Sequence, residues 1–224
     1  MTGGGTAGYI KPMWTAALTA APVLAALELR AEHRALPRQI YLFKPLTTAC
    51  ILLIAATTPV PVSPVYRAAI MAGLLCSLSG DVFLMLPRDA FLAGLASFLL
   101  AHLCYIAAFV SLAGVPVSAA AAVVLIAYGL YLLARLWPRL GKYRAPVVIY
   151  AVVLLSMAAA AYQQLESEPG LRAGLALGGA VLFVISDTVL ALDRFERGAR
   201  RRQTLVLGTY FTAQWLIATS VALL

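Results

Sequence analysis

Charge is what this chain has least of. Charged residues make up 12% of its 224 residues, only nine of them Asp or Glu, and His occurs twice. An ordinary soluble domain carries about a quarter of its residues as Asp, Glu, Lys or Arg. With 62% hydrophobic residues and a mean hydropathy of +0.91, the composition excludes a water-solvated globule and fits a polytopic membrane protein. His33 in a connection and His102 in an apolar run are too few nitrogens for a zinc site, so neither a metal nor another cofactor is expected. Cys50, Cys76 and Cys104 lie inside apolar runs with no pair at metal or redox spacing, so they read as small core residues and no disulfide framework follows. The buried runs offer no Ser-His-Asp or Cys-His nucleophile, which argues against a covalent intermediate. The net charge of +8 does not point to nucleic acid, because the basic residues sit in short connections between apolar runs.

Long apolar runs are what the chain has in their place. Residues 1–11 are Gly-rich and read as a short tail, and residues 12–224 read as one domain of eight transmembrane helices, all-α in class. Pro12 to Leu29 is a retained span, since its flanking positives Arg30, Arg34 and Arg38 follow the apolar core where a signal peptide would carry them before it. The later spans are expected near 40–57, 65–86, 90–111, 116–134, 144–163, 171–192 and 204–223. At 1.5 Å per residue each is long enough for about 30 Å of hydrocarbon. The odd-numbered connections hold thirteen of the seventeen Lys and Arg, against Lys11, Arg67 and Arg172 elsewhere and Lys44 inside a helix. Positive charge favours the cytoplasm, so the odd connections are expected there and both termini on the other face.

Two carboxylates stand out against this background. Gly73 to Leu86, GLLCSLSGDVFLML, carries Asp81, and Gly179 to Leu192, GAVLFVISDTVLAL, superposes on it with Asp187 over Asp81. An acid in mid-helix costs roughly 2.5 to 3.5 kcal/mol on insertion scales, so it is usually kept for a purpose. Each acid lies five residues before the Leu that closes its run, about 8 Å in, which puts the two in one layer. Lys44, Tyr150 and Tyr210 are expected in the same half of the bundle, Gln214 one turn deeper, and His102 nearer the midplane on a face with Phe91, Leu95, Phe98 and Tyr105. Together these groups are expected to line one cavity open to the cytoplasm. The matched runs also suggest a parallel repeat of four helices plus four, supported by Lys44-Pro45 and Ala145-Pro146 at the second and sixth spans and by Ala101-His102 and Ala213-Gln214. Gly73, Ser77, Gly174 and Gly178 recur at four-residue spacing and are expected to let the acid-bearing helices approach closely.

Plainer roles exist for each residue. Either Asp can simply tie helices together, Lys44 can snorkel to the headgroups, and His102 can be a packing residue. Phe98 and Trp215 fit lipid contact or core, and Glu166 with Glu168 fits a solvated turn.

Lys44-Pro45, Gly80-Asp81 in LLCSLSGDVFLML, FLAGLASFLLAHLCY, Ser186-Asp187 in LFVISDTVLAL, and Tyr210 with Gln214, in that order from about residue 40 to 220, resemble the YhhN family of lysoplasmalogenases. The first span is weakly matched. The resemblance implies an eight-helix membrane enzyme that hydrolyses the vinyl ether of lysoplasmalogens, with a lysophospholipid in the membrane as its partner. It carries over to Lys44, Asp81, His102, Tyr150, Asp187, Tyr210 and Gln214, the two acids as the catalytic pair and the rest as supporting or substrate-binding. The residues themselves suit that chemistry. Cleavage begins with protonation of the outer alkene carbon and needs an acid near an anion; burial and mutual repulsion keep one carboxyl protonated while Lys44 holds the other ionised. A proton-coupled transporter or lipid flippase is the rival, since parallel repeats with intramembrane ionisable groups describe carriers too. Against it, the acids lie near one face, whereas alternating access favours a site at the midplane. Oligomeric state leaves no mark in the sequence.

Overall fold

A computed structural model describes residues 7–86, 90–115, 118–196 and 202–223. The described residues are helical almost throughout: α1 (Ala7–His33), α2 (Pro37–Ala56), α3 (Pro64–Met85), α4 (Phe91–Ala113), α5 (Ala119–Leu140), a 3₁₀ turn (Gly141–Tyr143), α6 (Arg144–Ser167), α7 (Leu171–Glu196) and α8 (Gln203–Thr219). Six segments are long and apolar enough to cross a membrane. One of the six is the 49-residue stretch Ala119–Ser167, which runs through the 3₁₀ turn and holds both α5 and α6. The 17-residue α8 is not among them.

Helix ends follow local chemistry more than hydropathy. Pro37 and Pro64 open α2 and α3, where a missing N–H costs nothing, and the Ser63 hydroxyl accepts the Tyr66 N–H at 3.4 Å. Gly114 and Gly141, at φ +67° and +50°, end α4 and α5 in a conformation that glycine adopts without strain. Several helices outrun their apolar stretches. α5 continues to Leu140, carrying Pro138 within its last turn, and α7 to Glu196, since arginine is a good helix former. The overhangs meet: Arg135 on α5 donates two hydrogen bonds to the Glu196 carboxylate on α7, at 2.7 and 2.9 Å. α1 begins at Ala7, inside the stretch expected to be a tail.

Six helices close a ring in which α2 packs on α3, α3 on α4, α4 on α6, α6 on α7, α7 on α8, and α8 back on α2. α1 lies outside against α2 and α8, and α5 outside against α6 and α7. The tight seams are α3 with α4 and α7 with α8. A Cβ at Gly80 would come within 2.7 Å of the Phe98 ring, and one at Gly179 within 2.8 Å of the Ala213 carbonyl. Here the sequence expectation needs correcting. Gly174 faces open space and Gly178 meets only Leu216, so the close approach in α7 belongs to Gly179. The acid-bearing helices α3 and α7 do not pack on each other among the described residues; their small faces serve α4 and α8. This leaves room between them.

Candidate active site

That room is a cavity of about 220 Å³ at the end of the bundle where α3 stops and α8 starts. Asp81, Lys44, Tyr210, Ser186 and Asp187 form its polar wall, with Arg194 and Gln203; Phe83, Leu84, Phe98, Leu190, Val206 and Leu207 form much of the rest. Asp81 is almost wholly covered, while the Asp187 side chain keeps 11% of its surface open.

The two acids have different company. Asp81 Oδ2 accepts hydrogen bonds from Thr48 Oγ1 at 2.6 Å and Tyr210 Oη at 2.8 Å, and Oδ1 faces the Lys44 ammonium at 3.7 Å. Two hydroxyl donors and a cation suit a carboxylate. Lys44 therefore does not snorkel. Because α2 begins at Pro37, Lys44 sits deeper than a start at residue 40 implies, and it is buried against its anion. Asp187 Oδ2 accepts from Tyr150 Oη at 2.5 Å, and His102 Nε2 lies 2.9 Å from that same phenol oxygen and 3.4 Å from the carboxylate. If the phenol spends its proton on Asp187, its oxygen takes one from the ring, which puts the imidazole proton on Nε2. Nδ1 has no hydrogen-bond partner among the described residues. No lysine or arginine pairs with Asp187 within 4 Å among the described residues. Phe183 joins the two networks, packing edge-on against His102 at 4.6 Å and Tyr210 at 5.5 Å between ring centres.

The seven expected residues are thus gathered, but not all on one wall. Lys44, Asp81, Asp187 and Tyr210 line the cavity. Tyr150 lines apolar slots beside it. His102 and Gln214 are fully covered and stand behind. Gln214 accepts a 2.6 Å hydrogen bond from Tyr105 Oη, which also touches Ser77 at 3.4 Å. The depth estimate for α7 changes as well, since the helix continues past Leu192 to Glu196; what the acids share is the cavity, not a helix end.

The sequence profile of the YhhN family matches residues 39–221. The chain belongs to the YhhN family. It is 32% identical over 197 residues to the Escherichia coli O6:H1 protein named uncharacterized membrane protein YhhN, covering 88% of this chain and 94% of that one. It is 36% identical over 162 residues to lysoplasmalogenase TMEM86B of Sus scrofa, and 35% identical over 175 residues to a lysoplasmalogenase of Mycobacterium bovis. Those matches take in 70% and 75% of this chain and 65% of each relative, so this chain spans just under two thirds of the relatives that carry the enzyme name. No solved structure matches.

Several residues of this YhhN chain escaped the sequence reading. Thr48 is one turn from Lys44 on the same face of α2, a spacing that could have found it. Tyr105 was placed on the right face but its bond to Gln214 crosses between helices far apart in the chain. Glu28 on α1 is fully covered, with neither carboxylate oxygen hydrogen-bonded among the described residues, and lies within electrostatic reach of Lys44 and Asp81. The rule that flagged the two aspartates applies to it equally. It lies before the family match begins.

Proposed function

We propose that this YhhN protein is a lysoplasmalogenase, cleaving the vinyl ether of a membrane lysophospholipid to a fatty aldehyde and a glycerophospho-base. The observation that carries the reading is the pair of acids on one cavity with unlike surroundings, Asp81 beside a cation and two hydroxyls, Asp187 beside a phenol and an imidazole. Asp187, the more open of the two, is the proton donor. It delivers its proton to the outer alkene carbon, and the ether oxygen pushes electrons to give an oxocarbenium ion. The Asp81 carboxylate stabilises that cation across the cavity, held in place by Lys44, Thr48 and Tyr210. Water adds to the carbon bearing the oxygen, and the Asp187 carboxylate takes back a proton. The hemiacetal then breaks its bond to the glycerol oxygen, which leaves protonated as the aldehyde forms. Arg194 at the cavity wall suits the phosphate.

Eight crossings and a parallel repeat belong to the same proposal. Tyr150 stands 37 residues before Asp187, the interval that also separates Lys44 from Asp81. Each acid thus draws one partner from the preceding helix and another from the closing helix of the opposite half, Tyr210 on α8 for Asp81 and His102 on α4 for Asp187. The experiment is direct. Purified protein is incubated with a lysoplasmalogen and with its saturated alkyl ether, and free aldehyde is measured. Aldehyde from the vinyl ether alone is expected; its absence, with lipid moved across vesicles instead, would favour a carrier.

A further inference from the structure

Asp187 borders more than the polar cavity. It also lines a slot of about 50 Å³ between α5, α6 and α7, walled by Tyr128, Leu132, Leu154 and Val184. That slot shares Gly129, Leu133, Ala151 and Leu155 with a groove of about 360 Å³ between α5 and α6. Ile126, Leu130 and Val152 on the groove are more than half exposed, at 59%, 64% and 58%, and in a membrane such side chains meet lipid tails. Along α6 the groove runs from Ala151 to Ala159, about 12 Å at 1.5 Å per residue, away from the acids and through the middle of the helix.

We infer that this seam between α5 and α6 binds the hydrocarbon chain of the substrate and releases the aldehyde into the bilayer, with Gly129 as the residue that admits the chain. The inference rests on the lysoplasmalogenase reading. A lipid whose vinyl ether meets Asp187 must put its headgroup in the polar cavity and its tail somewhere apolar. A second small slot beside Asp187 leads to Phe91 and Phe195. Phe91 lies under the Arg194 guanidinium, where headgroups belong and a tail would be cut off from the hydrocarbon. The seam instead joins the acid to the lipid. Gly129 stands at the joint of slot and groove, and a Cβ there would lie 2.7 Å from Leu155 Cδ1, so a larger side chain narrows the joint and pushes the Leu155 side chain aside. Next to it, Tyr128 and Thr188 are hydrogen-bonded at 2.6 Å, fixing α5 to α7 one residue from Asp187. Among the described residues α5 packs only on α6, α7 and the 3₁₀ turn, outside the ring, so a chain seated beside it does not open the ring.

The test compares octadecenyl with butenyl lysoplasmalogen on wild-type, Gly129→Leu and Ala151→Phe proteins in the same detergent. The long-to-short ratio of kcat/KM is expected to fall about tenfold or more in each variant. An unchanged ratio, whether both substrates slow together or neither does, overturns the inference. A second measurement avoids the variants altogether. Wild-type protein is photolabelled with a lysoplasmalogen bearing a diazirine at the end of its alkenyl chain. Adducts on residues 122–133 or 151–159 support the seam, and adducts confined to Phe91, Leu95 or Phe195 refute it. Wild-type protein that cleaves neither substrate would instead sink the enzyme reading itself.

Discussion

Asp81→Asn and Asp187→Asn are expected to injure the protein in different ways. Asn fills the space of Asp, so neither change opens a cavity. At Asp187 the amide oxygen can still accept the Tyr150 proton, and among the described residues no lysine or arginine within 4 Å is left alone. The stability change should stay within about 1 kcal/mol, the net worth of one ordinary hydrogen bond. At Asp81 the buried Lys44 loses its anion. Breaking a buried pair from one side costs about 3 to 5 kcal/mol. Glu28 lies within electrostatic reach of Lys44, which places the cost at the lower end. At 2 to 4 °C per kcal/mol, about 3 kcal/mol lowers the melting temperature by roughly 6 to 12 °C. Both variants should lose catalysis by about 10²-fold or more. Thermal unfolding in detergent beside aldehyde release reads both quantities. Adding Lys44→Met to Asp81→Asn should restore the melting temperature without restoring turnover, because the orphaned charge goes while the anion stays missing. Equal stability losses in the two single variants, or turnover recovered in the double, would refute the assignment of Asp81 as the paired anion.

Tyr150→Phe should keep the fold and lower kcat by roughly tenfold, since it removes only the hydroxyl that donates to Asp187; an unchanged kcat means that bond has no part in the chemistry. A reporter fused after Leu224 should lie outside the cytoplasm and one inserted between Arg197 and Gln203 inside it; the reverse at both sites overturns the sidedness.

The acids were legible because a carboxylate inside an apolar run is costly enough to be conspicuous in one sequence, and Asp81 and Asp187 do face the same cavity. Their partners were less so. Hydropathy marks where a helix meets lipid, not where it begins, so the start of α2 at Pro37 was missed and Lys44 was left open to snorkelling. Spacing says that small residues share a face but not which neighbour that face meets, hence Gly179 in place of Gly174 and Gly178. Tyr105 and Gln214 pair across α4 and α8, and no local pattern announces such a contact. Glu28 was hidden by Arg30 close behind it, which made the end of the first span look like a simple interface.

The central claim is that an aspartic acid protonates carbon, and hydrolysis of lysoplasmalogen in heavy water tests it most directly. Proton transfer to the outer alkene carbon should leave one deuterium on the carbon next to the aldehyde, measured by mass spectrometry with the free aldehyde's own exchange subtracted. Asp187→Asn should form little of this product. Aldehyde released by the wild-type protein without that deuterium would contradict the account.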